Sequence, residues 1–195
     1  MALTIYERFR QLLIDPRWID LERGAGDASY FCTPVGAEII GWENSIHYCF
    51  LPGYGRIVFA VNPESCADQY VYPLAADFRD FLRLILACGS TTAVEQIILW
   101  SREDFDAFLN SDDNAILPEQ QHVLDVLRQE LQLQPMEDPY GYVKALQAQC
   151  CDMSRITWSD EYYDVLGLER PDGTQSAQAY MCFEPVEFRF SRDDP

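Results

Sequence analysis

The chain has 195 residues, 48% of them apolar, with eleven Phe, eleven Tyr and four Trp. That is enough to bury a hydrophobic core without disulfide or metal staples. Thirty-two acids against fourteen bases, among which Lys144 is the sole lysine, give a formal charge of −18, a field that repels nucleic acid and anionic membrane and attracts basic partners.

The opening "MALTIYERFRQLLIDPRW" places Glu7, Arg8 and Arg10 within its apolar pattern. It therefore lacks the continuous apolar stretch of a signal peptide, and no later segment reaches the length of a transmembrane span. A soluble, cytoplasmic protein is expected. Ile5, Phe9, Leu12 and Leu13 mark a helical face that Pro16 stops.

From Tyr30 to Val61 the pattern becomes β-like. The runs "YFCTPV", "AEIIGWE", "IHYCFL" and "GRIVFAV" are separated by Pro34–Gly36, Glu43–Ser45 and Pro52–Gly55. Several runs are apolar on both sides, as in strands covered on each face. "QYVY" at 69–72 reads as one more strand, closed by Pro73.

Beyond Pro73 the period changes to 3.6, with Phe78, Phe81, Leu82 and Ile85 on one face and Gly89 as the stop. "TAVE" at 92–95 and "SRED" at 101–104 have capping-box spacing, so residues 76–110 read as three helices. The polar run "NSDDN" at 110–114 leads to helices opening at Pro118 and at Asp138–Pro139, the latter ending near Cys150. A short helix is expected after Ser159, then strands or a hairpin at "AYMCF" and "VEFRF". Segregated β and α segments predict an α+β fold: an N-terminal helix, a mixed or antiparallel sheet, a helical layer, and a C-terminal helical extension with a final strand or hairpin. The expected division is a core over 1–110 and a mostly helical extension over 111–195, packed on that core.

Catalytic and metal motifs are missing. His47 and His122 lie far apart without Cys/His spacing, which argues against zinc. "SDDNAILPE" lacks the glycine and ligand spacing of a calcium loop. There is no nucleophile elbow, and "PGYGR" at 52–56 is a turn rather than a phosphate cradle. No metal, cofactor or catalytic residue is assigned. The seven Cys, odd in number and without C-x-x-C spacing, read as reduced thiols behaving as small hydrophobes. Tyr162–Tyr163, set among Asp160, Glu161 and Asp164, could serve either as a cation-recognising cluster or as an ordinary solvated helix start.

At residues 53–86, "GYGRIVFAVNPESCADQYVYPLAADFRDFLRLIL", the chain resembles the core of the SUKH superfamily. That family includes a fungal regulator of cell-wall glucan synthesis and many bacterial immunity proteins for polymorphic toxins. Asp77, Phe78, Phe81 and Leu82 occupy the family's "DFxxFL" helix pattern, and "EIIGW" at 38–42 would be an early strand. The likeness spans residues 28–110 and implies a non-enzymatic binding protein.

An acidic immunity protein suits a basic toxin domain, because opposite charge steers association. The candidate partner-binding residues are Glu103, Asp104, Asp106, Asp112 and Asp113, five acids within eleven residues, together with Trp42 as an aromatic anchor. An ordinary solvated helix and linker would carry the same acids. Two other readings stay open: a regulatory or scaffold protein of the same fold, and an enzyme with a cleft near His47 and Trp42.

Overall fold

The computed structural model describes residues 3–23, 29–65, 69–150 and 152–174. It divides into two compact units, Met1–Ser159 and Asp160–Pro195. The fold is α+β, with helices set against a four-stranded antiparallel sheet.

The first helix, α1 (Ile5–Gln11), begins in a capping box: the Glu7 N–H reaches Thr4 Oγ1 at 3.2 Å while the Glu7 carboxylate accepts the Thr4 N–H at 2.7 Å. It ends sooner than the apolar spacing predicts. Leu12 is already extended and Leu13 is fully exposed. A 3-10 turn, Pro16–Ile19, follows, and Asp20 caps it in the left-handed region at φ +56°. This places Ile19 and Leu21 in the core on either side of Asp20.

The sheet comprises β1 (Glu38–Glu43), β2 (Ile46–Phe50), β3 (Val58–Val61) and β4 (Val71–Ala75), in that spatial order. Two sequence expectations are corrected here. "YFCTPV" is not a strand: Thr33 N–H turns back to the Tyr30 carbonyl, and Ala37 N–H to that of Pro34. Turns rather than pairing bury Cys32 and Pro34, while Val35 stays half exposed. Nor does Pro73 end the last strand. It lies within β4 opposite Phe59, beside a register shift that leaves Leu74 unopposed. An edge strand tolerates proline because one side of its backbone has no neighbour to bond. β4 is that edge, and the sixth helix, introduced below, packs against it.

Alternation divides the sheet's side chains between two buried faces. Tyr48, Phe50, Val58, Ala60 and Leu74 join the helical core. Cys49 and Phe59 point the other way, with Tyr54 edge-on to Phe59 at 5.3 Å and its hydroxyl donating to the Asp152 carbonyl. Coverage on both faces is why these strands lack a polar stripe.

The helical layer begins with α2 (Phe78–Cys88), whose N-cap Asp77 accepts the Asp80 N–H at 2.8 Å. Phe78, Phe81, Leu82, Leu84 and Ile85 are all buried, each worth about 1.5–3 kcal/mol relative to exposure. Gly89, at φ +98°, stops α2, and α3 (Thr91–Leu99) leaves at 95° to it. Next come α4 (Arg102–Leu109), α5 (Pro118–Leu131) and α6 (Pro139–Gln149), the last two with proline in the first turn as expected. Val123, Leu124, Leu127 and Leu131 of α5 and Val143 of α6 complete the core, within the same unit as the sheet.

In the second unit, α7 (Asp160–Leu166) follows Ser159 as expected, and Arg170 pairs with Asp160 and Asp164. The expected strands at "AYMCF" and "VEFRF" lie outside the described residues. Among the described residues, no single helix is long and apolar enough to cross a membrane.

Candidate functional site

Ser101 starts α4 by accepting the Asp104 N–H at 3.1 Å, and its hydroxyl donates to the Asp104 carboxylate at 2.6 Å. Because Phe105 is the buried residue of this helix, Glu103, Asp104 and Asp106 are left exposed. Asp112 and Asp113 follow on a 3-10 turn, Asp112–Asn114, where the Asn114 amide donates to the Cys88 carbonyl and ties the turn to the end of α2. All five acids are exposed, and among the described residues none has an ion-pair partner.

The chain entering α4 is apolar and only partly covered. Leu99 is 61% exposed and Trp100 is 37% exposed, the latter edge-on to Phe108 at 5.5 Å. This corner is anchored from α6. Lys144 donates to the Ile98 carbonyl and Tyr140 to that of Trp100, satisfying acceptors at the open end of α3. Arg102 binds Asp138 at 2.8 Å and lies 4.7 Å from the centre of the Tyr140 ring. The acidic stretch thus rests on a braced support.

Trp42 lies elsewhere, on β1 directly opposite His47, with the rings 4.8 Å apart. Its backbone pairs in both directions with Glu22, closing the outer side of β1 at that point. Tyr30 stacks on His47 at 5.4 Å and also meets Trp42 edge-on at 5.7 Å, so the three rings contact one another. His47 is wholly buried, neither ring nitrogen has a hydrogen-bond partner among the described residues, and burial lowers its pKa to about 4. It is a neutral imidazole packed in a cluster with the Tyr30 and Trp42 rings.

The buried Cys32, Cys49 and Cys88 thiols are raised by burial to about 11, 12 and 12, which keeps them protonated and weakly nucleophilic. A cleft of about 350 Å³ between α1 and the start of α2 has Tyr6, Phe50 and Phe78 in its lining, with Arg10, Glu38 and Arg56 beside them. No serine, cysteine or histidine lines it.

Sequence reasoning missed a cluster of acids between the sheet and α3. Glu43 is only 5% exposed, and it meets Tyr48, Thr91, Thr92 and Glu95. Tyr48 Oη lies 3.0 Å from Glu43 Oε2 and 2.7 Å from Glu95 Oε1. Thr92 Oγ1 lies 2.5 Å from Glu43 Oε1 and 2.7 Å from Asp20 Oδ2.

Burial, reinforced by the nearby Glu43 charge, raises Glu95 to about 9. Burial and the same two carboxyls also push the Tyr48 hydroxyl well above its usual value. The capping box expected at "TAVE" is corrected in consequence. Ser90 is the true N-cap, accepting the Ala93 N–H at 3.3 Å, so Thr92 and Glu95 are free to face the sheet. The sequence signal was present in "STTAVE", where three consecutive hydroxyl residues compete for the cap.

No family model, curated protein or solved structure matches the chain.

Proposed function

We propose that the chain is a non-enzymatic protein-binding domain whose acidic face engages a basic protein. The observation carrying this reading is the stretch from Leu99 to Asp113. Five exposed acids, without ion pairs among the described residues, lie next to a partly exposed Leu–Trp step, on helices braced by α6. A large apolar anchor flanked by charge is the composition of a productive interface, with the anchor supplying residence time and the charge supplying encounter rate. The likeness to the SUKH superfamily gives the proposal a specific form, an immunity protein that covers the cationic surface of a toxin domain.

The test begins with affinity capture and mass spectrometry at low and at physiological salt, beside an acidic control protein of matched charge. One stoichiometric basic protein surviving physiological salt is expected, and binding kinetics with that protein then decide the surface. Reversing Glu103, Asp106, Asp112 and Asp113 to Lys together is expected to slow association by about tenfold or more and to flatten its salt dependence. Unchanged kinetics would remove this face.

A further inference from the structure

We infer that Asp20, Glu43, Tyr48 and Glu95 form a proton-dependent latch holding α3 and the 3-10 turn at Pro16–Ile19 to the sheet. The latch closes while Glu95 carries its proton and loosens when that proton is released. The inference is independent of the proposed partner.

Counting hydrogens carries the argument. Tyr48 has one hydroxyl hydrogen and two carboxyl oxygens within reach, at 2.7 and 3.0 Å. Thr92 has one hydrogen and two carboxyl oxygens, at 2.5 and 2.7 Å. Thr91 cannot make up the deficit, because its hydroxyl is directed to the Asp20 carbonyl at 2.5 Å. Two hydrogens therefore serve four close contacts. A hydroxyl can satisfy the second contact only as an acceptor, which requires a carboxylic acid as donor. If all three carboxyls were ionised, lone pairs would face lone pairs in a partly buried site.

The surroundings supply no compensating cation. Among the described residues, neither lysine nor arginine forms an ion pair with Asp20, Glu43 or Glu95. α2 brings the Phe81 ring to 5.0 Å from Tyr48, and Cys88 at its end is a buried thiol. The Lys144 ammonium from α6 is committed to the Ile98 carbonyl, beyond Glu95 toward the open end of α3. The acids at the start of α4, Glu103 and Asp104, are exposed to solvent. From β1 and β2 the facing groups are Glu43 and Tyr48 themselves. The upward displacement of Glu95 to about 9 agrees with the hydrogen count.

The sign follows from linkage. A carboxyl whose folded pKa lies above its unfolded value binds its proton more tightly in the folded state. Its contribution is complete below the ordinary carboxylate range and is lost as pH rises toward about 9. Within that window, each proton released on unfolding changes the unfolding equilibrium by about tenfold per pH unit.

The latch can be read with the intact chain in two ways. Carbon-13 NMR of the Glu side-chain carboxyls, titrated across the native range, should show Glu95 protonated at neutral pH. Urea unfolding at about pH 7 and about pH 9 should show a falling midpoint for the wild type and a flatter one for Glu95→Gln, whose amide stands in for the neutral acid. Titration of Glu95 at an ordinary carboxylate pH, or equal slopes in the two proteins, would overturn the inference. If Glu95→Gln does not fold, the carboxyl titration of the wild type decides alone.

Discussion

His47 shows how much one unpaired group can set. Among the described residues its nitrogens have no hydrogen-bond partner, so protonation would place a charge against the Tyr30 and Trp42 rings with no acceptor to receive it. The folded pKa of about 4 lies below the ordinary histidine value of 6.5, so the unfolded chain takes up the proton first. The stability conferred by the neutral ring is therefore complete above about 6.5 and is lost as pH falls toward about 4, by about 3 kcal/mol at most. His47→Phe keeps a flat ring and removes the proton. Urea unfolding at neutral pH and near pH 4.5 should show a shallower acid loss in the variant.

Gly41 is a second residue whose role is steric. A Cβ there would lie 2.5 Å from Leu21 Cδ1 and 3.3 Å from the Glu22 carbonyl oxygen, where that segment crosses β1. Leu21 is buried and cannot readily move aside. Gly41→Ala should therefore destabilise by about 1–3 kcal/mol in denaturant unfolding, although alanine is ordinarily the better residue for an ordered backbone.

Among the elements, most helix starts were legible because their determinants are local, the exception being α3, whose cap is Ser90 rather than Thr92. Pro118, Asp138–Pro139, Ser101 and Ser159 each announce a helix within a few residues, and each helix lies where that chemistry puts it. Strand limits were less legible, because pairing partners decide them. "YFCTPV" has strand composition without a neighbour to pair, while Pro73 looks like a terminator but occupies an edge where it is tolerated.

α6 offers a direct test of a local signal. Asp138 accepts the Gly141 N–H at 3.0 Å and also holds Arg102 of α4. Asp138→Ala should cost about 1 kcal/mol, and Asp138→Asn, which keeps an accepting oxygen for the cap, should cost less. Thermal unfolding of the two variants side by side separates the cap from the ion pair.

For the whole molecule, the charge and the exposed acids were readable because they require no knowledge of packing. The acid cluster was not readable. Asp20, Glu43, Tyr48 and Glu95 come from a turn cap, two strands and a helix, and only the tertiary fold brings their oxygens together. Glu43 in particular fell in what looked like a break between strands, yet it ends β1 and faces inward. The two titrations also oppose each other: His47 weakens the fold toward acid, and the partly buried Glu95 weakens it toward alkali. The binding proposal belongs to this scale as well, since a −18 surface acts on approach at a distance that salt shortens to about 8 Å in physiological buffer.

The proline inside β4 has a further consequence. An incoming peptide that sought to extend the sheet there would meet a ladder with one donor missing, a register shift beside it, and α6 packed against the same strand. Recognition by strand addition is blocked at that edge, and so is its misuse in edge-to-edge aggregation. Any protein that binds in that region must read side chains rather than backbone, which leaves this edge of the sheet as a wall instead of a socket.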